Sequence, residues 1–134
     1  MPDSAEKPNP PQPEIVRHDN FERWYANHFQ FQATDADLTI LFGEWDVPNA
    51  EGKGVVQQHT AMTFTWEQAK VLAYFLDLYV AGRELLYGRI TAPPGLWPTE
   101  PNAPTEEIKQ QNPLAEAIYE MATKRRQQFI ESIK

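Results

Sequence analysis

The sequence predicts an α+β fold: a three-stranded antiparallel β-meander, a long helix packed on it, and a C-terminal amphipathic helix. Three observations predict it. Aromatic and polar residues alternate between Asn27 and Ala33, as in a half-buried strand. A capped and almost continuously apolar segment runs from Trp66 to Tyr87. Apolar residues then recur at helical spacing from Leu114 to Ile133. At 134 residues and 41% hydrophobic content the chain is too apolar for full disorder and long enough for one domain with a modest core.

The chain opens on MPDSAEKPNPPQP, which holds five of the 12 prolines. Proline fixes φ and removes a backbone donor, so residues 1–14 are expected to form a flexible arm of polyproline II character. A proline-recognising partner is one reading of this arm; a plain tail is the simpler one. Folded sequence is expected from Ile15, giving a β-β-β-α domain over residues 15–90.

Phe29 and Phe31 fall on one face of the first expected strand, with His28, Gln30 and Gln32 on the other. Thr34 to Asp37 reads as a turn, and Leu38 to Phe42 as the second strand. Asp46 to Gly54 holds proline, asparagine and two glycines and reads as a loop. The third strand, Val55 to Phe64, alternates imperfectly: Val56, Met62 and Phe64 share one parity, but Val55 and Ala61 fall on the other with Gln57, His59 and Thr63. Phe29 and Phe31 are expected in the core, as an apolar floor for the helix.

Thr65-Trp66-Glu67-Gln68 fits a capping box, with Thr65 as N-cap and Gln68 at N3. Gly88 suits the residue beyond the helix end. Within this helix the apolar positions cover most of the circumference, whereas an ordinary surface helix has one apolar stripe. A three-stranded sheet covers one side of a helix, so the surplus must meet another layer, another subunit or a partner. Leu72, Phe75, Leu76, Tyr79 and Leu86 are the expected interface positions. Five prolines fall between Ile90 and Pro104, so residues 91–111 read as a linker. Asn112-Pro113 reads as N-cap and N1 of a C-terminal helix over 112–134, with Leu114, Ile118, Met121, Ala122, Phe129 and Ile133 on its apolar face.

The series Tyr25-Ala26-Asn27, Leu41-Phe42-Gly43, Thr65-Trp66-Glu67-Gln68-Ala69-Lys70 and Tyr87-Gly88-Arg89-Ile90 resembles the prokaryotic family of domain of unknown function 3467, over about Trp24–Ile90. The resemblance implies a β-β-β-α unit, bacterial or archaeal origin and no assigned chemistry, with departures at the proline-rich arm and after Ile90. Element order and acidic charge are also similar to the secretion chaperone SecB, a likeness of fold alone.

The totals exclude several classes of chemistry. A formal net charge of −7 disfavours phosphate backbones, so no nucleic-acid partner is expected. With no cysteine, disulfides, thiolate nucleophiles and cysteine zinc sites are excluded. No apolar run nears the ~18 residues of a membrane span, and the N-terminus has no apolar core for a signal peptide, so a cytoplasmic protein with no membrane partner is expected. The four carboxylates of TDADLTILFGEWD read as turn and strand flanks rather than an acid/base or metal cluster: Asp37 and Glu44 lie at opposite ends of one strand, about 20 Å apart. His28 and His59 on neighbouring strands are a possible metal pair with no HxH or HxxxH spacing. Ser4 and Ser132 lie at the chain ends, away from any triad. Lys124-Arg125-Arg126 reads as a solvated helix face.

The expectation is therefore a non-enzymatic homo-oligomer, dimer or larger, with no cofactor and no metal. The rival expectation is a chaperone or adaptor that captures a client protein on an exposed apolar face. A third is an enzyme with a site between subunits, built from His28, His59 and acidic groups.

Overall fold

The alternation in HFQFQA becomes strand β1 (His28–Ala33). Thr34 turns the chain with its side chain: the Ala36 and Asp37 amides donate to its hydroxyl at 3.2 and 3.1 Å, and the hydroxyl donates to the Asp37 carboxylate at 2.8 Å. Strand β2 (Asp37–Asp46) follows, and then β3 (Val55–Thr65). The three form one antiparallel sheet in the order β1-β2-β3. The computed structural model describes residues 7–46 and 54–134. The start of the expected arm (1–6) and most of the expected loop (47–53) lie outside the described residues.

Regular structure begins at His28, later than the expected start at Ile15. Ile15 and Val16 are exposed, and residues 7–27 form only a turn at His18–Phe21, where the Phe21 amide donates to the His18 carbonyl. Strand β2 is longer than expected because Gly43 does not end it. Phe42 pairs with Thr60 and Gly43 with Gln58, so His59 is an extra residue: a β-bulge. A Cβ on Gly43 would sit 2.7 Å from the Gln57 carbonyl, so only glycine fits this approach.

The bulge also explains the broken alternation of β3. It inverts the parity of that strand, so Val56 pairs with Trp45 on one face while Met62 and Phe64 pair with Ile40 and Leu38 on the other. Register then places Phe29, Phe31, Leu38, Ile40, Phe42, Met62 and Phe64 on a single apolar face. The Phe29 and Phe42 rings meet edge to face at 5.8 Å on that side. The opposite face is mixed: Thr39 bonds Thr63 at 2.8 Å and Gln58 donates across β2 to Gln30 at 2.7 Å, beside Leu41, Ala61, Trp45 and Val56.

β3 ends at Thr65 and helix α1 (Trp66–Tyr87) begins at the next residue. The Gln68 amide donates to the Thr65 hydroxyl at 3.2 Å, the expected cap, and the Trp66 indole donates to the Thr34 carbonyl. Gly88 ends the helix with φ of +93°, its amide bonded to the Glu84 carbonyl.

The chain forms two compact units, Met1–Ala69 and Lys70–Lys134. In the second, residues 91–111 are more ordered than a linker. A short 3₁₀ turn spans Pro94–Leu96, and a helix α2 spans Glu106–Gln111, N-capped by Thr105. Pro93 and Trp97 have polyproline II dihedrals. The segment runs antiparallel to helix α3 (Ala115–Ile133): the Ala92 amide donates to the Ile133 carbonyl, and Arg126 donates to the Pro98 carbonyl. Helix α3 starts three residues after Asn112. The Asn112 amide still closes α2 on Ile108, while its side chain accepts from the Leu114 amide, so this residue makes the corner between two helices.

Candidate interaction surface

Helical spacing brings Leu72, Phe75, Leu76, Tyr79 and Leu86 to one side of α1, over about 21 Å of helix. Leu72 is half-buried; Phe75, Leu76, Tyr79 and Leu86 are 48%, 59%, 78% and 74% exposed. No residue of α1 is buried. Neighbouring Tyr74, Leu85 and Tyr87 are exposed too, the last under the Arg83 guanidinium at 4.2 Å. The expected interface residues therefore share one side of α1, with Gly82 and Arg83 between Tyr79 and Leu86.

The sheet carries a second apolar surface, which sequence patterning does not reveal. Phe29 and Phe31, expected in the core, are exposed, as is Met62, on the sheet face they share with Ile40 and Phe42. Its signal lies in the alternation of β1, but the parity change in β3 hides its continuation.

The histidines are placed by local packing. His59 stacks on Trp24 with ring centroids 4.6 Å apart; its Nε2 meets the Tyr25 carbonyl and its Nδ1 the Thr60 hydroxyl. The carbonyl accepts, so Nε2 carries hydrogen. His28 meets the edge of Trp45, and its Nδ1 is buried without a partner. Asn27 holds this end of the sheet: its amide donates to the Gly43 carbonyl and its side chain accepts from the Trp45 amide. Among the described residues no group of three or more acidic or histidine side chains is arranged to hold a metal ion. Asp37 is engaged by Thr34 in the turn, and Glu44 stands seven positions along the same strand.

The basic run on α3 is divided. Arg126 bonds the Pro98 carbonyl and lies 3.9 Å from Glu100, while Lys124 and Arg125 are exposed. Helix α3 buries Ala115 and Ile130, with Tyr119, Ala122, Arg126 and Ile133 half-buried in the same stripe. The expected Leu114, Ile118, Met121 and Phe129 form an adjacent stripe that stays exposed. Arg89 caps the C-terminal end of α3 by donating to the Ser132 and Glu131 carbonyls. Two surface groups titrate away from their usual ranges. The Lys109 ammonium is raised by its bond to Glu116 and then by the charge of Glu106, and the Glu131 carboxyl is lowered by its bond to Lys134.

These arrangements give physical reasons for the residues that carried the family resemblance: Asn27 secures the strand end, Gly43 admits the bulge, Thr65 caps α1 and Gly88 ends it. The chain belongs to the family described as protein of unknown function, DUF3467, whose model matches residues 1–92. The proline-rich arm lies inside the match, contrary to the expected departure there; residues 93–134 lie beyond it. No curated protein and no solved structure matches the chain.

Proposed function

We propose that this family member is a non-enzymatic interaction protein that assembles with itself, as a dimer or larger, through the apolar surface of α1. The carrying observation is that none of the 22 residues of α1 is buried while Phe75, Leu76, Tyr79 and Leu86 lie about half to four-fifths exposed. Covering one large apolar side chain is worth ~1.5–3 kcal/mol, so a surface of four or five favours burial against another copy. Closed symmetric homo-oligomers are the commonest outcome for such surfaces. A cytoplasmic, bacterial setting is part of this proposal; it accords with a chain that has no cysteine and, among the described residues, no helix long and apolar enough to cross a membrane.

The test is absolute mass by light scattering on a sizing column, over a range of concentrations, for the wild type and Phe75→Glu. A multimeric wild type and a lighter variant are expected. An unchanged mass for the variant would sink the proposal. The same surface supports the rival reading, capture of a client protein, which predicts a monomer that suppresses aggregation of a model protein at stoichiometric amounts.

A further inference from the structure

We propose that residues 7–13 of the arm are a docking peptide in polyproline II form, read by a partner domain whose groove is lined with aromatic rings and has an acidic rim. This contact is separate from the α1 assembly and does not depend on it. Residues 7–18 adopt no helix or strand, and every residue of 7–25 is exposed. Pro8, Pro10, Pro11 and Pro13 have no amide hydrogen, so this stretch cannot extend the ladder of β1.

The spacing of the prolines is what a groove can read. Polyproline II has three residues per turn, so positions three apart share an edge. One edge then carries Lys7, Pro10 and Pro13, the next Pro8 and Pro11, and the third Asn9 and Gln12. Two adjacent edges are apolar for aromatic rings, and the third carries amides for water. Binding orders little that is not ordered already, because each proline ring fixes φ beforehand. The proline carbonyls remain acceptors for tryptophan N–H or tyrosine O–H groups of the groove.

Charge sets the direction of the peptide in the groove. Lys7 is the one basic side chain among residues 1–16, and it continues the Pro10 and Pro13 edge at its N-terminal end. An acidic group at one end of the groove pairs with it and fixes the register. The arm is fastened well behind this stretch. Trp24 stacks on His59 with centroids 4.6 Å apart, and the Tyr25 carbonyl accepts from His59 Nε2 at 2.9 Å. The intervening residues 14–23 span at most about 33–36 Å, against a radius of gyration of about 13 Å for a 100-residue domain. A partner can therefore seat on the arm without displacing the anchor at His59.

The probe is a set of isotope-labelled SH3 domains with acidic groove rims, titrated with the full chain and followed by NMR. Their groove resonances should shift, saturating with a Kd below about 1 mM. Pro10→Ala combined with Pro13→Ala should weaken binding at least about tenfold, and Lys7→Glu about as much. Gln12→Ala, on the third edge, should change it by less than about twofold. Circular dichroism should show the sheet and helices intact in all three. No groove shift with any probe would overturn the proposal. Equal affinity across the variants would do the same, since a plain tail has no preferred edge. A lower light-scattering mass for the double proline variant would also overturn it, because the arm would then be seated on a second copy. Phe75→Glu should bind the probes as the wild type does, so the two proposals fail separately.

Discussion

Helices α1 and α3 are similar in length, 22 and 19 residues, and differ in what the chain provides for them. Beside the C-terminal half of α3 runs an extended proline-containing segment that bonds it at Ile133 and Arg126, and α3 buries Ala115 and Ile130. Nothing in α1 is buried, although it is the more apolar helix. Apolar content therefore does not decide which helix is covered. The difference goes with a neighbouring segment bonded to α3. Proline suits such a segment, because an extended backbone lacking amide donors leaves fewer polar groups to satisfy against an apolar stripe.

That contrast can be broken at several points. The largest effect should come from Phe75→Glu. Removing one buried phenylalanine per copy from an α1 interface costs ~1.5–3 kcal/mol each, which weakens dimer association at least about 100-fold. Sedimentation equilibrium should show the shift, with helix content unchanged. Next is Ile130→Ala, which empties the best-buried position of α3. A loss of about 2–3 kcal/mol in chemical unfolding is expected, with no change in mass. Equal losses for Ile130→Ala and Leu86→Ala would erase the distinction between a helix covered within the chain and one covered by assembly.

Smaller effects sharpen the helix ends. Gly88→Ala meets no atom within 4 Å, so its cost is backbone strain alone, about 1 kcal/mol. Thr65→Ala removes the α1 cap at a similar cost, about 1 kcal/mol; both are measurable by thermal melting. The smallest effect is pH dependence in the second unit. The folded Lys109 has a raised pKa, so its contribution is complete below the ordinary lysine value near 10.5 and fades as pH rises through the folded value. Glu131 is lowered, so its contribution is complete above about 4.5 and fades as pH falls through the folded value. Both pairs are exposed and screened, so Lys109→Met should leave the melting temperature at neutral pH within experimental error.

Much of the fold is legible in the sequence where a local signal coincides with the structural cause. The α1 boundaries follow from Thr65 and Gly88, because caps act within one turn. The hairpin at Thr34 is legible, though its organiser is the threonine hydroxyl rather than the aspartates alone. Three features are not legible, each for a distinct reason. Gly43 resembles a strand end, and only its pairing with Gln58, next to Phe42 with Thr60, reveals a bulge. His59 changes the parity of β3, which no fixed period detects. Residues 91–104 have no hydrophobic periodicity, since an extended proline segment is recognised by what it lies against. Of the candidate surface, the α1 stripe is readable from helical spacing, whereas the sheet face needs the register of all three strands.

The sheet joins only neighbours in sequence, β1 to β2 and β2 to β3. Local topology of that kind closes quickly, because each pairing costs only a short loop. The meander can therefore form on an emerging chain before the C-terminal helix has been made. Any association of copies is then a later, second-order event. Refolding after dilution should show one fast phase that is blind to protein concentration, followed by a slower one whose rate rises with it.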